Sequence, residues 1–220
     1  MTQQLILLIR HGKAEFKAGH LYGWTPGVKL SSDGQEEAKR LGERLEEIRF
    51  TAVYTSPLER AVETAEIAFA GRKVDIKVNE GLGEVKYGKW QGRSYKSLMK
   101  TPLWRTVQRN PSRARFPEGE SLLELQRRGV DAIEEIRAKH KRGVIAAFSH
   151  ADMIKAIVAH YLGLHLDLFQ RIWVETASVT AIAFFGDHPR VVRIGDTGDL
   201  KALAPSKPLA KTPAKKVNKR

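Results

Sequence analysis

Two histidines, His11 and His150, each stand behind an apolar run, residues 5–9 and 144–148, whose composition suits buried strands. In α/β sheets, side chains that do chemistry gather at the C-terminal ends of strands. A lone strand-end histidine reads as a packing residue that bonds a carbonyl, so the neighbours decide. Arg10 precedes His11, Gly12 follows it, and Arg60 stands in the segment Ser56-Pro57-Leu58-Glu59-Arg60-Ala61. Arginine in the first turn of a helix opposes the macrodipole, a placement easier to understand with an anion beside it. Its planar fork matches phosphate oxygens in a way lysine cannot. Transfer of a phosphoryl group needs a nucleophile on one side, strong donors around the equatorial oxygens and an acid at the leaving oxygen. These residue types can supply the first two.

The rest of the pattern supplies the third. Arg10-His11-Gly12, Ser56 to Ala61 with Thr64-Ala65, Gly83-Glu84 followed by Tyr87-Gly88-Lys89-Trp90-Gln91-Gly92, Pro117-Glu118-Gly119-Glu120-Ser121, and Ser149-His150 occur in that order. In type and order they resemble the histidine phosphatase superfamily over about residues 4–195. The resemblance implies that His11 is the nucleophile that becomes phosphohistidine, and that Arg10, Arg60 and His150 bind phosphate. It also implies that Glu84 protonates the leaving alkoxide and then takes a proton from the hydrolytic water. Ser56 and Gly12 are secondary candidates at the phosphate. The nucleophilic nitrogen of His11 must be unprotonated, with the other donating to a backbone carbonyl near Gly12. Glu84 needs a raised pKa, from burial and from the charge of the substrate; Glu118 and Glu120 are the next acids to consider. The rim departs from the family pattern at Lys13-Ala14, at residues 22–28 and at Ala151-Asp152.

The resemblance implies a phosphomonoester hydrolase, a histidine acid-type phosphatase, that acts on a small phosphorylated metabolite. The alternative is a 2,3-bisphosphoglycerate-dependent phosphoglycerate mutase, and a third reading is a non-catalytic anion-binding module. The short stretch between Gly92 and Glu120 favours the phosphatase, because related mutases carry a longer insertion there. No cofactor and no metal is expected. His20, His140, His160, His165 and His188 lack ligand spacing with neighbouring acids, and no P-loop is present. Trp90, Trp104 and Trp173 read as packing residues, with Trp104 also a candidate to touch substrate from the cap.

Positioning these groups requires a sheet. Strands are expected at residues 5–9, 52–55, 76–78, 144–148, 179–185 and 191–194, the last two joined by a turn at 186–189. A helix is expected from a Ser32-x-x-Gln35 capping box to about residue 48, another with Pro57 in its first turn, and others over 120–140 and 153–162. The pattern predicts a three-layer α/β/α sandwich with a mostly parallel central sheet. Residues 1–200 are expected to form one domain, with residues 83–120 as a cap of short helices.

Of the 220 residues 42% are hydrophobic, ample for a core, and the absence of cysteine excludes disulfides and thiolate chemistry. Residues 5–9 are too few to span a bilayer and follow no basic leader, so a cytoplasmic protein without a membrane span is expected. Of the formal charge of +13, seven Lys and Arg lie in residues 201–220, where there are no acids, leaving +6 for the rest. That tail is expected to be disordered and solubilising, with weak, salt-sensitive attraction to polyanions. The pattern leaves the oligomeric state and the individual phosphoester open.

Overall fold

The computed structural model describes residues 3–200 and residue 203. Strands β1 (Gln3–Arg10), β2 (Phe50–Thr55), β3 (Ile76–Val78), β4 (Gly143–Ser149), β5 (Val179–Phe185) and β6 (His188–Asp196) form one sheet in the order β3-β2-β4-β1-β5-β6. The first four are mutually parallel, while β5 runs antiparallel to β1 and β6 antiparallel to β5. The sheet is therefore mostly parallel, as expected, with a hairpin at one edge turning through Gly186 (φ +65°).

Helices α1 (Ser32–Arg44) and α2 (Glu59–Ala68) pack on one face, and α5 (Leu122–Lys139) and α6 (Ala151–Tyr161) on the other. Alternation along β1 produces this layering. Leu5, Leu7 and Ile9 meet Leu41, Leu45 and Ala65, whereas Ile6 and Leu8 meet Leu125, Ile133, Ile154 and Ile157. Both sets are buried, which is why the run is continuously apolar, and each such side chain contributes about 1.5–3 kcal/mol. The cap holds α3 (Tyr95–Leu98), α4 (Pro102–Arg109) and the 3-10 turns Gly88–Trp90 and Pro111–Arg113.

Several boundaries differ from expectation. The cap of α1 is Ser31, whose hydroxyl accepts from Gly34 N–H, so the box read from Ser32 is displaced by one residue. The helix ends at Arg44, because Leu45 and Ile48 close a tighter turn and Ile48 is buried as a loop residue. Pro57 precedes the N-cap Leu58 of α2, so it lies outside the helix. Trp173 is 73% exposed and is not a packing residue. The tail expected to be disordered lies outside the described residues, except for Leu203, which packs partly buried against the core on the α1 side.

Candidate active site

The register of β1 against β4 pairs Arg10 with Ser149, so the next residues, His11 and His150, emerge side by side. His11 N–H donates to Ser149 O at 3.0 Å, and the two imidazole centroids lie 5.1 Å apart. Beyond the end of β2, Ser56 N–H donates to Phe148 O at 2.9 Å, which adds a third strand end to the cluster.

His11 is held from both sides. Its Nδ1 lies 2.6 Å from Gly12 O, and its Nε2 accepts from Arg60 Nε at 3.2 Å. This network assigns the proton to Nδ1 and leaves the Nε2 lone pair available. Burial, then the charges of Arg60 and Arg10, hold the pKa of His11 well below the usual imidazole value despite the opposing bond to Gly12. The ring is therefore neutral at pH 7. Gly12 N–H donates to Thr64 Oγ1 at 3.0 Å, and the Thr64 hydroxyl donates to Arg60 O at 2.6 Å. Gly12 thus has no donor left for a ligand, and its backbone instead orients the imidazole.

Ser56 is committed in the same way. Its Oγ accepts from Leu58 N–H at 3.2 Å and lies 2.7 Å from His150 Nε2, which receives the hydroxyl proton. The proton of His150 then sits on Nδ1. Burial, followed by Arg60, His11 and Arg10, depresses the pKa of His150 strongly, so it is a neutral donor and brings no charge. Arg10 Nη1 donates to Val174 O at 2.7 Å and Arg60 Nη2 to Gly23 O at 2.9 Å. Three buried nitrogens have no hydrogen-bond partner among the described residues: Arg10 Nε, Arg60 Nη1 and His150 Nδ1. Orphaned buried donors are costly. An anion that accepts from all three would remove that cost, and the N-terminus of α6, beginning at Ala151, adds favourable potential.

Arg10, His11, Arg60, Glu84, Ala151 and Asp152 line one cleft of about 360 Å³, whose mouth is formed by residues 16–23. His20 also lines the cleft, with its Nδ1 3.1 Å from Ala18 O. Glu84 is 9% exposed, and Val85 N–H donates to its Oε1 at 2.9 Å. Burial, then the nearby Asp152 carboxylate, raise its pKa to about 7, against the pull of the Val85 bond, Arg60 and Arg10. Asp152 itself stays ionised. Burial opposes this, but the charge and hydrogen bond of Lys155 (Nζ to Oδ1, 2.7 Å) and the Tyr87 hydroxyl (to Oδ2, 3.1 Å) outweigh it.

The loop that presents Glu84 is clamped from the back. Arg128 donates to the carbonyls of Gly81 (3.0 Å), Gly83 (3.1 Å) and Glu84 (3.1 Å), and pairs with Glu120 at 2.7 Å. Trp24 Nε1 also donates to Glu84 O, and the indole lies where a Cβ on Gly83 would stand. Glu120, considered above as a spare acid, serves this clamp, and Glu118 pairs with Lys89 at the surface. Sequence reasoning missed Asp152, Lys155, Arg128 and Trp24. The nearest signal was the departure at Ala151-Asp152, which placed an acid beside His150.

The model of the histidine phosphatase superfamily (branch 1) matches residues 6–197. Phosphoserine phosphatase 1 of Hydrogenobacter thermophilus is 29% identical over 180 residues, covering 80% of this chain and 85% of that protein. Phosphoglycerate mutase-like protein 4 of Arabidopsis thaliana is 32% identical over 162 residues, covering 69% and 68%. Among solved structures, Bacillus stearothermophilus YhfR superposes with a TM-score of 0.84 at 28% identity, covering 89% of this chain and 98% of that one.

Proposed function

The chain belongs to the histidine phosphatase superfamily, and from that premise we propose that it hydrolyses phosphomonoesters of small metabolites through a phosphohistidine on His11, without a metal. The observation that carries this reading is the set of three unpaired buried nitrogens around a neutral His11, opposite a glutamic acid with a pKa near 7. In the proposed mechanism Arg10 Nε, Arg60 Nη1 and His150 Nδ1 take the equatorial phosphate oxygens. His11 Nε2 attacks phosphorus as Arg60 Nε turns from it to phosphate. Protonated Glu84 gives its proton to the departing alkoxide, and the resulting carboxylate draws a proton from the water that cleaves phosphohistidine. Asp152 keeps Glu84 protonated near neutrality. Two relatives bear on the leaving group: the Hydrogenobacter protein is named for phosphoserine, whereas the Arabidopsis protein is named mutase-like.

The test is a panel of phosphorylated metabolites assayed in the same tubes for free phosphate and for isomerised product. Released phosphate is expected; isomerisation without release would favour the mutase. His11→Ala should abolish turnover, and acid-labile label from a radioactive ester should be trapped on His11 of the native protein. Label on another residue, or full activity in the variant, would refute the mechanism. Chelators should leave the rate unchanged and vanadate should inhibit; loss with chelator that magnesium or zinc restores would overturn metal independence. A cytoplasmic site of action belongs to the same proposal, because ionised phosphoesters do not cross a bilayer unaided. Residues 201–220 add weak polyanion attraction, read as salt-sensitive heparin retention that truncation removes.

A further inference from the structure

Beside the cleft that holds His11 lies a second cavity of about 330 Å³, and the two share a wall of Leu21, Tyr87, Tyr95 and Asp152. Its lining is unlike that of the first. Trp90 and Trp104 lie nearly parallel, with centroids 6.3 Å apart at 27°, and Phe116 and Tyr95 stand edge-on or tilted against them. Gln108 and Gln170 add amides at its margin, and Asp152 faces both cavities. An ordinary dry packing void is lined by apolar groups alone. Here a carboxylate and two amides border an aromatic slot, the combination that fixes the orientation of a flat ligand. The two cavities adjoin at this wall. Tyr95 is 39% exposed, and its hydroxyl makes no hydrogen bond among the described residues, so it is the least anchored member of that wall.

We propose that the leaving group of the substrate carries a planar aromatic ring that stacks in this second cavity, with hydroxyl donors toward Asp152, as in a nucleoside monophosphate. The inference rests on the phosphatase reading and narrows its substrate class. The phosphate is held by Arg10, Arg60 and His150. The hydroxylated linker passes the Asp152 carboxylate, which has lone pairs left after Lys155 and Tyr87. The ring then lies against Trp104, a side chain of the cap that lines the second cavity and not the first.

The experiment compares phosphate release from ribose 5-phosphate and from adenosine 5′-monophosphate, in which adenine replaces the anomeric hydroxyl. The wild-type protein should favour the ring-bearing ester in kcat/KM by about ten-fold, the size of one base stacked on one aromatic side chain. Trp104→Ala should erase that preference, and Trp104→Phe should keep most of it, which separates stacking from a general loosening of the cap. The same comparison is read as binding, by quenching of tryptophan fluorescence in the His11→Ala protein. Equal kcat/KM for the two esters, or a preference that survives Trp104→Ala, would overturn the inference. Release of phosphate from neither ester, with the ring-bearing one still bound about ten-fold more tightly, would strike at the phosphatase reading alone; equal binding would strike at the ring pocket.

Discussion

Glu84 is held toward its protonated form at a cost to the fold above neutral pH. Its pKa rises on folding from the ordinary 4.5 to about 7, so the folded protein favours the proton. The resulting stability is fully present below pH 4.5 and is lost as pH rises through 7, a difference of roughly 3 kcal/mol. Glu84→Gln, which keeps the acceptor for Val85 N–H, should therefore raise the urea midpoint at pH 8 and leave it unchanged at pH 4.5. Kinetically the same variant should lose far more activity on alkyl phosphates than on nitrophenyl phosphate in the transfer step, and should accumulate phosphohistidine; pre-steady-state kinetics on the two esters reads both. The native profile of kcat/KM should be bell-shaped, falling above pH 7 as Glu84 ionises and falling on the acid side as His11 protonates, well below 6.5. Asp152→Asn removes the charge that helps to raise Glu84, so the alkaline limb should move to lower pH. His11, Arg60 and Glu84 were legible from their sequence neighbours, because each sits in a local signature. The influence of Asp152 on Glu84 was not, because it depends on proximity between residues far apart in the chain, one that no local pattern encodes.

Among the elements, the junction between β1 and α1 tolerates the least change. A Cβ on Gly34 would stand 1.9 Å from Lys13 O, and one on Gly12 would stand 2.6 Å from Gly34 O. Both obstacles are backbone, so neither can move aside. Gly34→Ala should destabilise the protein by about 3 kcal/mol, with a lower urea midpoint at unchanged slope, and should displace the carbonyl that orients His11. The strands and main helices were readable because apolar residues recur at the spacing of each element. The exact cap of α1 was not. Ser31 and Ser32 both suit an N-cap, and the choice falls to Ser31 because the chain must bring Gly34 against Lys13. The cap region was expected to be a set of short helices, and it is, but nothing in its composition indicated that Trp90 and Trp104 would lie parallel around a cavity.

At the scale of the whole molecule, the first strand of the chain lies in the interior of the sheet, between strands from its second half. β1 is flanked by β4 and β5, both from the second half of the sequence, and β4 in turn separates β1 from β2. The sandwich could be inferred from the alternation of strands and helices, but this order could not, since short apolar runs do not name their partners. Closing such long loops costs entropy before any contact compensates it, which makes pairing of this kind slow. The site inherits that timing. His11 and His150 become neighbours only when Arg10 stands opposite Ser149, so the proposed mechanism gives no turnover in a partly folded chain that lacks the β1–β4 ladder. On refolding from urea, tryptophan fluorescence from the locally assembled cap should recover first, and phosphatase activity should return in the slowest phase. Catalysis is thus a clock for the last long-range step of folding, and a chain caught short of that step is silent rather than partly active.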